Sequence, residues 1–306
     1  MNKSLPFRST DLFGVVLFLI LWGGSTFYLG VTGADWTFPI IALGIFGIGL
    51  SAIGWLTTRG AAAPAIEVQR PVRESAALLI YLAIYALIFL GWGMSALREG
   101  VPAGRAQEVA VFAAKLAVHV MLPAILLIAI GAKLRPLFSS GVSPRIFWRT
   151  LIVIGAILTG LLMVVSPSLK QINEANPTLL TLAWAAPASF LWLAVEAGLN
   201  EEFFFRALLQ TRLSAWFKSA WTGVALTSVL FGLAHAPGLY LRGGPDVDGW
   251  STDPFQVVAY TIATLAPLSV FLGFLYARTK SLLLVVLLHA SIDFLPNLAD
   301  FIRTWS

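Results

Sequence analysis

Residues 281–300 read SLLLVVLLHASIDFLPNLAD. A helix rises 1.5 Å per residue, so a stretch of this length matches the roughly 30 Å hydrocarbon core of a bilayer. Within it His289 and Asp293 are four residues apart and share one helical face. An ionisable group inside a bilayer costs about 2.5–3.5 kcal/mol even on lenient insertion scales. Such a group needs a partner or a job.

The rest of the chain has the same character. Of 306 residues, 58% are apolar and 11% charged, against roughly 25% charged in a soluble domain. Mean hydropathy is +0.85. These values exclude a soluble globular enzyme, a disordered chain and a nucleic-acid reader. There is no Cys, which removes disulfides and thiolate chemistry. The apolar runs predict nine spans, at about 12–31, 37–56, 75–95, 109–131, 150–166, 179–205, 219–236, 255–276 and 281–300. The expected fold is an all-α polytopic transmembrane helix bundle, with the lipid bilayer as its first partner and no nucleic acid. No internal repeat or long linker is visible.

Lys and Arg alternate between the two sides. Fourteen fall at the N-terminus and in every second connection, five in the intervening connections and at the C-terminus, and Lys115 lies within the fourth span. The positive-inside rule then places the N-terminus in the cytoplasm and residues 237–254 on the opposite side. The segment 133–149 mixes bases with Leu, Phe and Trp and is expected to lie partly in the cytoplasmic interface.

Few acids escape the loops: Glu196, Glu201, Glu202 and Asp293, with Asp300 near a helix end. All three histidines, His119, His235 and His289, fall inside spans. Glu202 and Arg206 stand at i, i+4, where an ion pair forms, and Glu201 lies about 100° around the same helix. Phe231 and His235 repeat the i, i+4 spacing, as do His289 and Asp293. Helices that each offer polar groups from one face build sites in bundle cores. His119 reads as a packed hydrogen-bonder, and Lys115 as a lysine that snorkels or pairs with an acid.

The order E-E-x-x-x-R, F-x-x-x-H, H-x-x-x-[N/D/S] on successive membrane helices resembles the CPBP family, the CAAX prenyl endopeptidases and their bacterial relatives linked to bacteriocin processing and immunity. Glu201, Glu202 and Arg206 match the first motif, Phe231 and His235 the second, His289 and Asp293 the third. The resemblance covers about residues 175–300, so residues 175–300 read as the protease core and 1–170 as membrane helices of unassigned role. It implies an intramembrane endopeptidase acting on a peptide or membrane-protein substrate. In family terms Glu201 and His235 activate a water, and His289 with Asp293 holds the oxyanion. Arg206 fixes Glu202, and Phe231 packs beneath the site.

An older reading of the family makes Glu201, His235 and His289 zinc ligands, and one carboxylate, two imidazoles and a water do suit catalytic zinc. No H-E-x-x-H supports it, and a metal-free site is the preferred expectation. Two rival classes are a non-catalytic immunity or scaffold protein of the same fold and a proton-coupled secondary transporter. Against a transporter, no inverted repeat is visible and the polar groups crowd into the last third. One mismatch stands out. Counted from Lys280, Arg212 and Lys218, His289, Glu201 and His235 sit roughly 13, 16 and 25 Å deep. The seventh helix is therefore expected to tilt or to begin with an interfacial turn.

Overall fold

The computed structural model describes residues 9–306. Lys3 and Arg8, which contribute to the charge asymmetry, and the N-terminus itself lie outside the described residues. Among the described residues every regular element is helical, and nine helices are long and apolar enough to cross a membrane. They are α1 (Ser9–Val31), α2 (Thr37–Thr57), α3 (Pro71–Gly100), α4 (Arg105–Ala129), α5 (Pro144–Val165), α6 (Leu179–Phe217), α7 (Ala220–Arg242), α8 (Pro254–Thr279) and α9 (Leu282–Trp305). The chain is an integral membrane protein built as an all-α polytopic bundle.

Helix ends follow local chemistry. α6 stops at Lys218 in the left-handed region (φ 51°), and Ser219 caps α7 by accepting from the Thr222 amide. The same Lys-Ser device joins α8 to α9: Lys280 is left-handed (φ 49°) and Ser281 accepts from the Leu284 amide. Each join therefore needs two residues, which holds the paired helices antiparallel. Ser143 followed by Pro144 opens α5, and Asp253 followed by Pro254 opens α8, both with a side-chain cap.

The centre of the bundle is α8 and α9, of whose most apolar windows 67% and 61% is buried, against 17–28% for α1 to α5. α7 lies along α8, α1 packs on both, and α6 and α5 flank α9. Two glycines let the site-bearing helices touch. A Cβ on Gly198 of α6 would stand 2.6 Å from the Val286 carbonyl of α9, and one on Gly232 of α7 would stand 2.7 Å from the Thr261 carbonyl of α8. Each glycine precedes a candidate site residue, Glu201 or His235, by three positions, so backbone contact sets the site's dimensions.

The connections gather at two ends. At one, Gly141 donates to Thr279 and accepts from Ala62, and Arg278 bonds the Thr58 side chain. At the other, Arg105 donates to the carbonyls of Thr304 and Trp305, and Tyr28 to Asp253. The first end carries Arg59, Lys133, Lys218 and Lys280.

One expectation needs correction. The sixth span does not end at residue 205 but runs to Phe217. Arg206 and Arg212, which suggested a loop, are enclosed by protein and paired with Glu202 and Glu74. Those two bases therefore do not belong to a loop charge count. The segment 133–149 is a short 3-10 turn, Arg135–Phe138, followed by the first turns of α5, with Leu137 fully buried. A short helix, Ser168–Glu174, also lies between α5 and α6 where no element was expected.

Candidate active site

α6 changes its winding where it matters. Two π-helical stretches, Ala194–Leu199 and Phe203–Gln210, bracket the α-helical turn Asn200–Glu202. An i→i+5 turn frees backbone groups and re-aims side chains, and such insertions concentrate at functional sites. Thr211 Oγ1 and Arg212 Nη1 bond back to the carbonyls of Arg206 and Ala207 in the widened stretch. Glu201 and Glu202 project from this turn in different directions.

Glu202 is fully buried and doubly held. Its Oε2 accepts from Arg206 Nε at 2.9 Å, and its Oε1 accepts from His289 Nδ1 at 2.8 Å. Arg206 also donates from Nη1 to Ser269 Oγ of α8 at 3.0 Å and lies over the Phe231 ring, 5.2 Å from its centroid. The pair spans the i, i+4 spacing read from the sequence, and it ties α6 to α7, α8 and α9. Hydrogen bonds to both carboxylate oxygens and to two of the three guanidinium nitrogens offset the cost of burying this pair, while Arg206 Nη2 has no hydrogen-bond partner.

His289 is fixed by that bond. With Nδ1–H committed to Glu202, its Nε2 faces Glu201 Oε2 at 3.7 Å and Asp293 Oδ2 at 3.3 Å. His235 faces Glu201 from the other side, its Nε2 3.8 Å from Glu201 Oε2, and its Nδ1 donates to the Phe231 carbonyl at 2.7 Å. Glu201 Oε2 thus stands between two imidazole nitrogens, beyond hydrogen-bond range of either. It is buried and accepts no hydrogen bond from the protein. Phe231 packs against both rings, with centroids 4.6 Å from His235 and 6.3 Å from His289.

A cavity of about 520 Å³ reaches Glu201 and His235. α3 and α4 supply much of its wall: Tyr85, Arg98, Lys115 and His119. Lys115 pairs with Glu196 at 2.5 Å, and His119 Nε2 bonds the Tyr85 hydroxyl at 2.8 Å. Both thus take the roles read for them. Sequence reasoning missed Tyr85 and Ser269, which belong to no motif. The Lys115–His119 spacing was visible but pointed to no partner, because those partners lie on other helices.

The six polar motif residues meet in one network, with Phe231 packed against it, but they do not share one cavity wall. Glu201 and His235 line the cavity; Glu202 and His289 lie beneath it, and Asp293 sits behind His289. Glu202 is enclosed because Arg206 and His289 already satisfy it. The depths of Glu201 and His235 come into line: each lies seventeen residues from Lys218, at the join of α6 and α7. Arg212 is a poor marker of the membrane surface, since it is buried against Glu74 (Nε–Oε2 3.1 Å). Among the described residues no group of three or more His, Asp or Glu side chains is arranged to hold a metal ion. The Nε2 of His289 faces Asp293 as well as Glu201.

A membrane-embedded helical bundle with a buried carboxylate between two histidines is the class the fold and site define. Residues 182–295 match the family model described as type II CAAX prenyl endopeptidase Rce1-like. That stretch contains Glu201, Glu202, Arg206, His235, His289 and Asp293. No curated protein matches the chain, and no solved structure matches it.

Proposed function

We propose that the chain is an intramembrane endopeptidase in which Glu201 is the general base. One observation carries this reading: a buried carboxylate oxygen without a hydrogen bond, 3.8 and 3.7 Å from the Nε2 atoms of His235 and His289, at the end of a cavity. Separations slightly beyond hydrogen-bond length are those a single small oxygen species bridges.

In this reading a water held by Glu201 and His235 loses a proton to Glu201 as its oxygen adds to the scissile carbonyl carbon. The carbonyl oxygen becomes an oxyanion, which accepts a hydrogen bond from His289 Nε2–H. Collapse of the tetrahedral intermediate breaks the C–N bond, and Glu201 returns the proton to the leaving amine. Asp293 is an acceptor when ionised, so it orients His289 and does not itself hold the oxyanion. Glu202 and Arg206 keep the imidazole of His289 in register. The match of residues 182–295 to an endopeptidase family supports the reaction type. The N-terminus is assigned to the cytoplasm on the charge asymmetry outside the helices.

Terminal peptides from cells with and without the gene test the reading in vivo. New termini should appear with the wild-type gene and vanish in both the deletion and Glu201→Gln strains. An identical set of termini in all three strains contradicts it.

A further inference from the structure

Resting on the endopeptidase reading, we infer that a second, polar cavity beside the active site is the route by which the hydrolytic water reaches Glu201. Each peptide bond cleaved consumes one water, and a peptide seated in the cavity that Glu201 lines closes that way in. The second cavity, of about 440 Å³, lies toward the end of the bundle where Arg105 bonds the carbonyls of Thr304 and Trp305. Glu108 of α4 and Asp300 of α9 line its outer part, and Lys115, Ser189, Glu196 and Asn297 line it further in. Lys115 is seven residues past Glu108, about 10 Å along the axis of α4.

Its walls are polar inside a bundle whose helices are otherwise apolar. His289, Asp293, Asn297 and Asp300 follow one another at spacings of four, four and three residues, so one stripe of α9 leads from the site to the outer part of this cavity. Ser189 is fully buried on the α6 side, and its hydroxyl has no hydrogen-bond partner among the described residues. A buried hydroxyl that the protein leaves unpaired is one that ordered water satisfies. Polar side chains within membrane helices face water-filled cavities and mark the paths through them.

The two cavities meet at Lys115, which lines both. Its ammonium bonds Glu196 at 2.5 Å, so the junction is a polar pair that offers water a donor and an acceptor. Five residues, about one turn of the π-helical stretch Ala194–Leu199, carry α6 from Glu196 to Glu201. Arg98 also lines both cavities, but its guanidinium already donates to Gln107 at 3.3 Å and faces Glu108 at 3.6 Å. Water that passes the Lys115–Glu196 pair enters the cavity lined by Glu201, whose Oε2 accepts no hydrogen bond from the protein.

Thiol labelling of purified protein in nanodiscs, with cleavage of a membrane-embedded peptide measured before and after, tests this route. Single cysteines are placed at Asn297, Asp300 and Glu108, and a cationic methanethiosulfonate, which reacts with thiols in water, should modify all three. It should spare Leu191→Cys, which is exposed on α6 about 200° around the helix from Ser189. The bulky adduct at Asn297→Cys, and at Asp300→Cys or Glu108→Cys, should lower kcat about tenfold or more with KM within about twofold, because it obstructs water and not peptide. A methylthio adduct should cost less, and reduction should restore the rate. Ala106→Cys, exposed in the first turn of α4 and outside the cavity, should be modified with kcat unchanged. The two mouth positions lie on different helices and away from His289, so a loss at both is not a distortion of the site. An unreactive Asn297→Cys in a protein that cleaves peptide, unchanged kcat after full modification, or a rise in KM alone would overturn the route and leave the endopeptidase reading standing. Reactive thiols in a protein that cleaves no peptide would overturn that reading, and the route with it.

Discussion

His289 Nδ1 donates to Glu202 Oε1 at 2.8 Å, a bond that joins α9 to α6 directly beneath Glu201. Because the other oxygen of Glu202 is held by Arg206, one carboxylate sets both the tilt of the imidazole and the spacing of two helices. Glu201 and Glu202, adjacent in sequence, are thereby separated in function.

Removing one partner of the buried pair should damage the fold along with the activity. Arg206→Met leaves Glu202 uncompensated in a fully enclosed position, a change that typically costs about 3–5 kcal/mol. Glu202→Gln should do the same to Arg206. Thermal melting in detergent, followed by tryptophan fluorescence, should show both variants melting well below wild type. Wild-type melting with activity abolished would mean that Glu202 acts in the chemistry itself.

Asp293→Asn should be mild. An amide oxygen can face His289 Nε2 as the carboxylate does, across the 3.3 Å now separating them. Peptide cleavage should stay within about tenfold of wild type, whereas Asp293→Ala, which leaves the imidazole without that orienting acceptor, should fall further. Equal losses in the two variants would show that Asp293 contributes its charge.

If the Glu201–His235–His289 set worked as a zinc site, chelation would abolish activity, added zinc would restore it, and metal analysis would find about one equivalent. The account expects full activity in a metal-free preparation. Rescue by stoichiometric zinc would contradict it.

Topology can be read directly because the chain has no Cys. Single cysteines at Ser139, exposed beside the α4–α5 turn, and at Thr252, exposed before α8, can be treated with an impermeant thiol reagent in intact cells. Labelling is expected at Thr252 and not at Ser139. The reverse would invert the assignment and place the connection after Arg242 in the cytoplasm.

The helices were legible because an apolar run of bilayer length has one stable solution in lipid. Eight of the nine predicted spans end within about six residues of the observed helices at both termini. The sixth was read twelve residues too short, because Arg206 and Arg212 look like loop charges until their partners, Glu202 and Glu74, are known. Glu74 is 138 residues from Arg212 in the chain, a separation no local pattern reports. The site was legible through i, i+4 spacing, which survived even though α6 winds partly as a π-helix. What the sequence did not reveal was the cavity wall from α3 and α4. Tyr85, Lys115 and Arg98 carry no motif, and only tertiary packing brings them to Glu201.

The most direct measurement is cleavage of a membrane-embedded peptide by purified Glu201→Gln protein beside wild type. The amide keeps the shape of the side chain and removes the base, so kcat should fall by about 10²–10⁴-fold while melting stays near wild type. His235→Ala should fall similarly, since its Nε2 faces the same oxygen. Wild-type turnover by Glu201→Gln, with activity lost only in Glu202→Gln, would contradict the account and assign the base to the other glutamate.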